Sequence, residues 1–282
     1  MVDFHSHSTA SDGMLTPAAL ATLARSQGVT ALALTDHDTV AGLDEAHQAC
    51  RVLGIRFFGG IELEIAFDEG EFHLLGLGLQ QWTDGWVVGL KHLQQLRARR
   101  NLTMFRRMQE AGIQGEFEQI EALAQGGQVG RPHFARFLVE KGKVETIQDA
   151  FNHFLGRGRL FYEPKAGLEL GEAISMIHEA GGLAVVAHPK TLRLSVANLA
   201  VRLPEWKLLG LDGLEAWHPG VEPRVARRLE ALARSFGLKV SGGSDFHGET
   251  RPDRQLGRSS GGLPLGEAIL EGLFPVPGET SA

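Results

Sequence analysis

The chain opens MVDFHSHSTASDG, residues 1–13, and the reading of this stretch decides the fold. Val2 to His5 alternates apolar and polar side chains and then runs into serine, threonine and glycine, which predicts a short strand followed by a loop. His5 and His7 stand at i and i+2, so in extended chain both imidazoles point to one face. Working outward, Thr16-Pro17 starts a helix, with threonine as N-cap and proline in the first turn, and residues 18–27 carry it to Gly28. ALALT, residues 31–35, reads as a buried strand, 40–53 as a helix, and 55–62 and 71–79 as strands. Strands alternating with helices imply parallel pairing.

The pattern changes after Trp82. Residues 86–163 are helical in pattern and locally basic, with turns at Gly112, Gly126-Gly127, Gly142 and Gly156-Arg157-Gly158. Alternation then resumes: helix 170–180, strand 183–188, helix 196–203, strand 213–217, helix 223–236 and strand 238–245. The expectation is an α/β barrel made of residues 1–81 and 166–275, with a mainly helical insertion, 82–165, over its active site. The last residues, PVPGETSA, read as a frayed tail.

Composition narrows the function classes. With 282 residues, 43% hydrophobic and 22% charged, the chain can bury a sizeable core. A net charge of -6 argues against broad binding of duplex nucleic acid but leaves room for a local basic pocket. The single cysteine, Cys50, excludes an internal disulfide. The absence of a membrane-length apolar run and of a secretory start predicts a cytoplasmic protein with no membrane partner; no obligate protein partner is evident either.

Polar residues gather where strands end. Asp245 and His247 repeat the i, i+2 spacing of His5 and His7, and between them come His37 in TDHD, Glu62 in GGIE, His73 in EFHLLG and His188 in VVAHP. In a parallel barrel all C-terminal strand ends open on one face, so six of the twelve histidines, with Asp12, Glu62 and Asp245, are expected to converge there. Imidazoles and carboxylates without thiolate suit divalent Mn, Fe or Zn, and nine ligands are too many for one ion. Three carboxylates against three divalent cations leave positive charge for an anionic substrate such as a phosphate. Singly, each residue has a plainer reading: a lone HxH is most often surface or satisfied core, Glu62 could cap a turn, and Asp12 could turn with Gly13. Nine such residues at successive strand ends are not independent accidents.

HSHSTASDG, TDHD, GIE, EFHLLG, AHP and GGSDFH resemble, in order and spacing, the motifs of the PHP (polymerase and histidinol phosphatase) superfamily of metal-dependent phosphoesterases. The resemblance implies a distorted (β/α)7, TIM-like barrel binding two to three divalent ions, manganese foremost. The implied ligands are His5, His7, Asp12, His37, Glu62, His73, His188, Asp245 and His247, with Glu62 bridging. Within the segment 82–165, LRARRNLTM, GRPHFARFLVEKG and AFNHFLGRG resemble the subgroup that removes the 3'-phosphate from nucleoside 3',5'-bisphosphates, whose relatives also trim short oligonucleotides from the 5' end. That likeness puts substrate contacts at Arg100, Asn101, Arg131 and His133, and catalytic roles at His188, Arg131 and Asp12. Pro132 at a helix start would set Arg131 and His133 beside an anion-attracting N-terminus. Arg97, Arg99, Arg100, Arg106 and Arg107 also fit a solvated helix face.

The mechanism this implies is in-line attack on phosphorus at the metals, with Arg131 on the phosphoryl oxygens, His188 or water assisting the leaving 3'-oxygen, and a 5'-phosphate held by the segment's arginines. A histidinol-phosphate phosphatase and a non-catalytic nucleotide-binding module are the alternatives. His218 is a candidate for the pocket mouth, whereas His47, His92, His153 and His178 are expected to be structural or superficial helix residues without partners. Cys50 and Arg56 have the spacing of a cysteine-phosphatase loop but lie between a helix and a strand in the wrong order.

Overall fold

A computed structural model describes residues 1–164 and 166–275. Seven strands follow one another round a single sheet in sequence order: β1 (Val2–Asp3), β2 (Ala31–Leu34), β3 (Arg56–Ile65), β4 (Phe72–Leu77), β5 (Leu183–Val186), β6 (Gly213–Trp217) and β7 (Lys239–Gly242). The ring closes between its ends, because Phe4 N donates to Gly242 O (3.2 Å), Asp245 N to His5 O (2.8 Å) and His7 N to Phe246 O (3.0 Å). Asp3 pins this seam, its carboxylate accepting from the backbone N–H groups of His5, Ser244 and Gly257.

Parallel pairing holds except at β4, which is antiparallel to both β3 and β5. The expectation of uniform parallel pairing fails there because only residues 66–71 join β3 to β4, and a parallel crossover needs about a dozen or more. The pleat then sorts side chains by parity. Ala31 and Ala33 face an interior cluster with Val2, Phe4, Leu75 and Val185, while Leu32 and Leu34 pack under α1 (Pro17–Ser26) and α2 (Leu43–Leu53).

Helix starts follow their caps. Thr16 Oγ1 accepts from Ala19 N at 3.2 Å, with Pro17 opening α1. α2 begins three residues later than expected, and α8 (Val196–Leu208) continues through Pro204 because Leu203 and Trp206 are buried, Trp206 against Phe72. α7 (Leu170–Glu179) and α9 (Pro223–Ser235) match expectation within a residue, whereas α10 (Glu267–Leu273) was not foreseen; its Leu270 and Leu273 join the barrel interior.

Between β4 and α7 the chain forms α3 (Asp84–Glu110), α4 (Phe117–Leu123), α5 (Arg131–Glu140), α6 (Ile147–Ala150) and a π-helical turn, Phe151–Leu155. Trp86, Leu90 and Leu93, early in α3, pack into the barrel's core; Met104, Phe105 and Met108, further along, pack with Phe134, Phe137, Leu155 and Phe161 in a separate one. One long helix thereby ties the two cores together. Among the described residues no helix is long and apolar enough to cross a membrane. Of the expected frayed tail, all but Pro275 lies outside the described residues.

Candidate metal centre

The strand extension after β1 carries His5 and His7, both fully buried, with ring centroids 5.2 Å apart. Gly243 makes room for it: a methyl group there would lie 2.2 Å from His5 Cβ. Asp36 fastens the following loop, accepting from Ser8 N (2.8 Å), Ser8 Oγ (2.6 Å) and Ser11 Oγ (2.6 Å), and so presents Asp12.

Glu62 is the hub. It sits within β3 rather than at its end, and five imidazoles surround its two oxygens. Oε1 lies 2.7 Å from both His73 Nδ1 and His188 Nε2; Oε2 lies 3.2 Å from His7 Nε2 and His37 Nδ1 and 3.3 Å from His5 Nε2. His73 arrives from the start of β4, not a strand end. The reversed direction of β4 puts its N-terminal end on the face where its neighbours finish. Asp245 Oδ1 is 3.5 Å from His5 Nε2 and 3.4 Å from His7 Nε2, and Asp12 Oδ1 is 3.3 Å from His247 Nε2.

These atoms form three groups, each with donors within 4.8 Å of one another: His7, Asp12, His37 and His247; His5, His7, Glu62 and Asp245; and His37, Glu62 and His73. His188 stands beside the third, 3.2 Å from His73 Nδ1. His5 Nε2, both ring nitrogens of His7 and Glu62 Oε2 are buried without a hydrogen-bond partner. Buried polar atoms are rarely left so, and divalent cations would satisfy all of them with a donor set of imidazole and carboxylate that suits such ions.

The electrostatics agree. Burial alone would lower His7, yet the Asp245 and Glu62 carboxylates outweigh it and raise the imidazole to about 9. His5 is likewise raised against its burial, by Glu215, Glu62 and Asp245. Burial pushes the Glu62, Asp12 and Asp245 carboxyls up, but the imidazoles around them hold all three well below the usual range. His37 goes the other way, with burial overriding Glu62 and Asp12. Positive charge is needed here, and in the bare protein protons supply it.

Residues that sequence reasoning missed hold the rings in place. Glu215 accepts from His5 Nδ1 (2.9 Å) and from His188 N (2.6 Å). Thr191 Oγ1 donates to Glu71 O at 2.8 Å, so its oxygen receives the proton of His188 Nδ1 at 3.0 Å. His188 and Asp245 have φ of 23° and 52°, strained backbone for a side-chain-bearing residue, costing about 1–3 kcal/mol each. The only hint of Glu215 in the sequence is a carboxylate in an otherwise apolar strand.

The helical segment contributes arginines selectively. Arg99 and Arg106 are exposed and Arg107 pairs with Glu163, while Arg97 and Arg100 turn inward. Arg97 pairs with Asp38. Arg100, 7% exposed, reaches only Asn101 Oδ1 among the described residues, and burial, with Arg97 and Arg131 nearby, pushes its guanidinium down to about 9. Arg131 Nη2 meets Glu71 at 2.6 Å, and its guanidinium lies over the Tyr162 ring. Arg100 and Arg131 line the cavity above Glu62, but Asn101 and His133 do not. His133 Nδ1 instead accepts from Gly130 N at the start of α5, and Asn101 Nδ2 donates to Val129 O. His218 is buried and lines the same cavity, and His178 does have a partner, Asp212 at 2.8 Å.

The profile of the PHP domain matches residues 3–172. The chain is 37% identical to the 5'-3' exoribonuclease Rnm of Escherichia coli over 99% of its own length and 95% of that protein's. It is 31% identical to the 3',5'-nucleoside bisphosphate phosphatase of Chromobacterium violaceum, over 94% of this chain and 93% of the relative. A solved structure from Bifidobacterium adolescentis, provisionally assigned as a metal-dependent phosphoesterase, superposes with a TM-score of 0.85 at 32% identity, covering 96% and 94% of the two chains. Strand-end donors on a seven-stranded barrel, and sequence likeness through both the barrel and its helical segment, place the chain in the PHP domain family.

Proposed function

We propose that this chain is a metal-dependent phosphohydrolase that removes the 3'-phosphate from nucleoside 3',5'-bisphosphates and trims short oligonucleotides from the 5' end at the same centre. The observation that carries this reading is Arg100, a buried cation whose hydrogen bonds among the described residues go only to Asn101, in the same cavity as three groups of metal-type donors. The relatives, named as a nucleoside bisphosphate phosphatase and an exoribonuclease, support it.

His5, His7, Asp12, His37, Glu62, His73, His188, Asp245 and His247 would hold two to three divalent ions, manganese being our assignment. When bound, the ions supply Lewis-acid charge neutralisation and a nucleophile at neutral pH. Arg100 and Arg131 bind the non-reacting 5'-phosphate, and Glu71 holds the Arg131 guanidinium in orientation. Binding energy from that remote phosphate orients the 3'-phosphate at the centre. His188 keeps its proton on Nδ1, towards Thr191, which leaves Nε2 a bare ligand nitrogen and assigns help to the leaving 3'-oxygen to water. His133 and Asn101 hold the loop before α5 and the Arg100 guanidinium in place.

The test is phosphate release with manganese present, comparing adenosine 3',5'-bisphosphate with 3'-AMP and histidinol phosphate, beside mononucleotide release from a 5'-phosphorylated oligonucleotide. We expect kcat/KM for the bisphosphate to exceed that for 3'-AMP by about 100-fold, the worth of one buried charge-assisted phosphate contact. Turnover of histidinol phosphate alone would overturn the substrate assignment, and activity untouched by chelation would overturn the chemistry.

A further inference from the structure

His218 and Arg254 are both buried, at 4% and 8% exposure, on the side of the centre formed by the turns after β6 and β7. Gly220 N–H donates to His218 Nδ1 at 2.9 Å. A backbone N–H cannot accept, so Nδ1 carries the lone pair and the proton of the neutral ring sits on Nε2. That Nε2–H faces Asp245 Oδ2 at 3.3 Å. Arg254 Nη1 lies 3.0 Å from the same Nε2, so two donors stand face to face. Arg254 has no other hydrogen-bond contact among the described residues. Its Nε is buried without a partner, although the exposed Asp253 carboxylate lies 3.2 Å away in poor alignment.

His218 Nε2–H has Asp245 Oδ2 as an acceptor, but the buried Arg254 guanidinium beside it has no well-aligned one among the described residues, and an anion in the cavity reaching both donors satisfies it. The position is set by Asp245, whose Oδ1 belongs to the metal-type group with His5 and His7 while its Oδ2 faces His218. We propose that His218 Nε2–H and Arg254 form an anion clamp that grips the oxygens of the reacting phosphoryl group, in the cavity that Arg100 and Arg131 also line. This deepens the phosphohydrolase reading and rests on it: two pairs of donors divide the substrate's phosphates, His218 and Arg254 taking the one that is cleaved.

The clamp is tested with manganese-loaded protein and inorganic phosphate as the probe. Arg254→Met, which keeps the apolar stem, and Arg254→Ala are compared with the wild type by calorimetric phosphate titration, with exposed Arg106→Ala as control. Phosphate affinity should fall by about 10- to 100-fold in both Arg254 variants at unchanged manganese content. kcat/KM should fall by one common factor for adenosine 3',5'-bisphosphate and 3'-AMP, because both present the same reacting group. Unchanged phosphate affinity overturns the clamp, as does a loss that only follows lost manganese, which would make Arg254 a positioning residue for Asp245. If the wild type ignores nucleoside bisphosphates while Arg254→Met still loses phosphate, the substrate reading falls and the clamp stands.

Discussion

Replacing Arg100 with methionine should make the protein more stable and less able to use a bisphosphate. In the folded chain this guanidinium is 7% exposed, donates only to Asn101 among the described residues, and is pushed down to about 9 by burial and then by Arg97 and Arg131. Arginine stays charged, so the push measures how poorly the bare site tolerates the cation. A net gain of about 1–3 kcal/mol on substitution is therefore expected, since a buried ion replaced by an apolar side chain of similar volume often stabilises. For a chain of this size that raises the melting midpoint by about 2–6 °C. A substrate phosphate supplies the missing counter-charge, so the same substitution should cost about 3 kcal/mol of transition-state binding, about 100-fold in kcat/KM for the bisphosphate. The loss with 3'-AMP should stay within about threefold, because that substrate has no second phosphate to lose. Differential scanning calorimetry and steady-state phosphate release read the two effects independently. A lower melting midpoint with unchanged bisphosphate kinetics would refute the reasoning and make Arg100 a structural residue.

Three further outcomes follow from the geometry of the donors. Glu215→Gln must keep its oxygen for His188 N–H and turn its amide towards His5 Nδ1, which drives the His5 proton onto Nε2. Metal affinity should fall by about 10- to 100-fold with the fold intact by circular dichroism; unchanged affinity would show that Glu215 does not set the tautomer. Gly243→Ala forces a methyl group to 2.2 Å from His5 Cβ and should depress both metal content and thermal stability, so a variant loading metal normally would mean that the seam yields freely. In the metal-free protein His7 stands at about 9, with His5 raised in the same direction, so at pH 7 His7 holds a proton that a metal must displace. Calorimetric metal binding in buffers of different ionisation enthalpy should show proton release, and no buffer dependence would contradict it. For His7 the linked stabilisation of the metal-free fold is complete below pH 6.5 and lost as pH rises through about 9.

Much of the centre is legible in the sequence because ligation is local in kind: HxH at the first strand, SDFH at the last, and a histidine or carboxylate near each junction between. What was not legible depended on neighbours distant in sequence. His73 reads as one more strand-end residue, and only the short link of residues 66–71 reveals that β4 runs backwards and delivers it from its start. Glu215 is unremarked within GLEAW until the barrel brings it under His5. The arginine run of α3 divides into buried and exposed members according to the phase of a helix that packs on two cores at once, so composition alone leaves Arg100 and Arg106 equivalent. His133 looks like a substrate contact beside a helix N-terminus but is occupied with capping that helix. The seven-residue α10 is too short to show a periodic face.

The cluster around Glu62 should act as a multinuclear metal centre on which hydrolysis depends. The most direct measurement is elemental analysis of bound metal on protein stripped by chelation and reloaded with manganese, with phosphate release followed at each step. Two to three ions per chain, and activity that vanishes on stripping and returns as they bind, is the predicted result. Full activity with one ion per chain or none would contradict it.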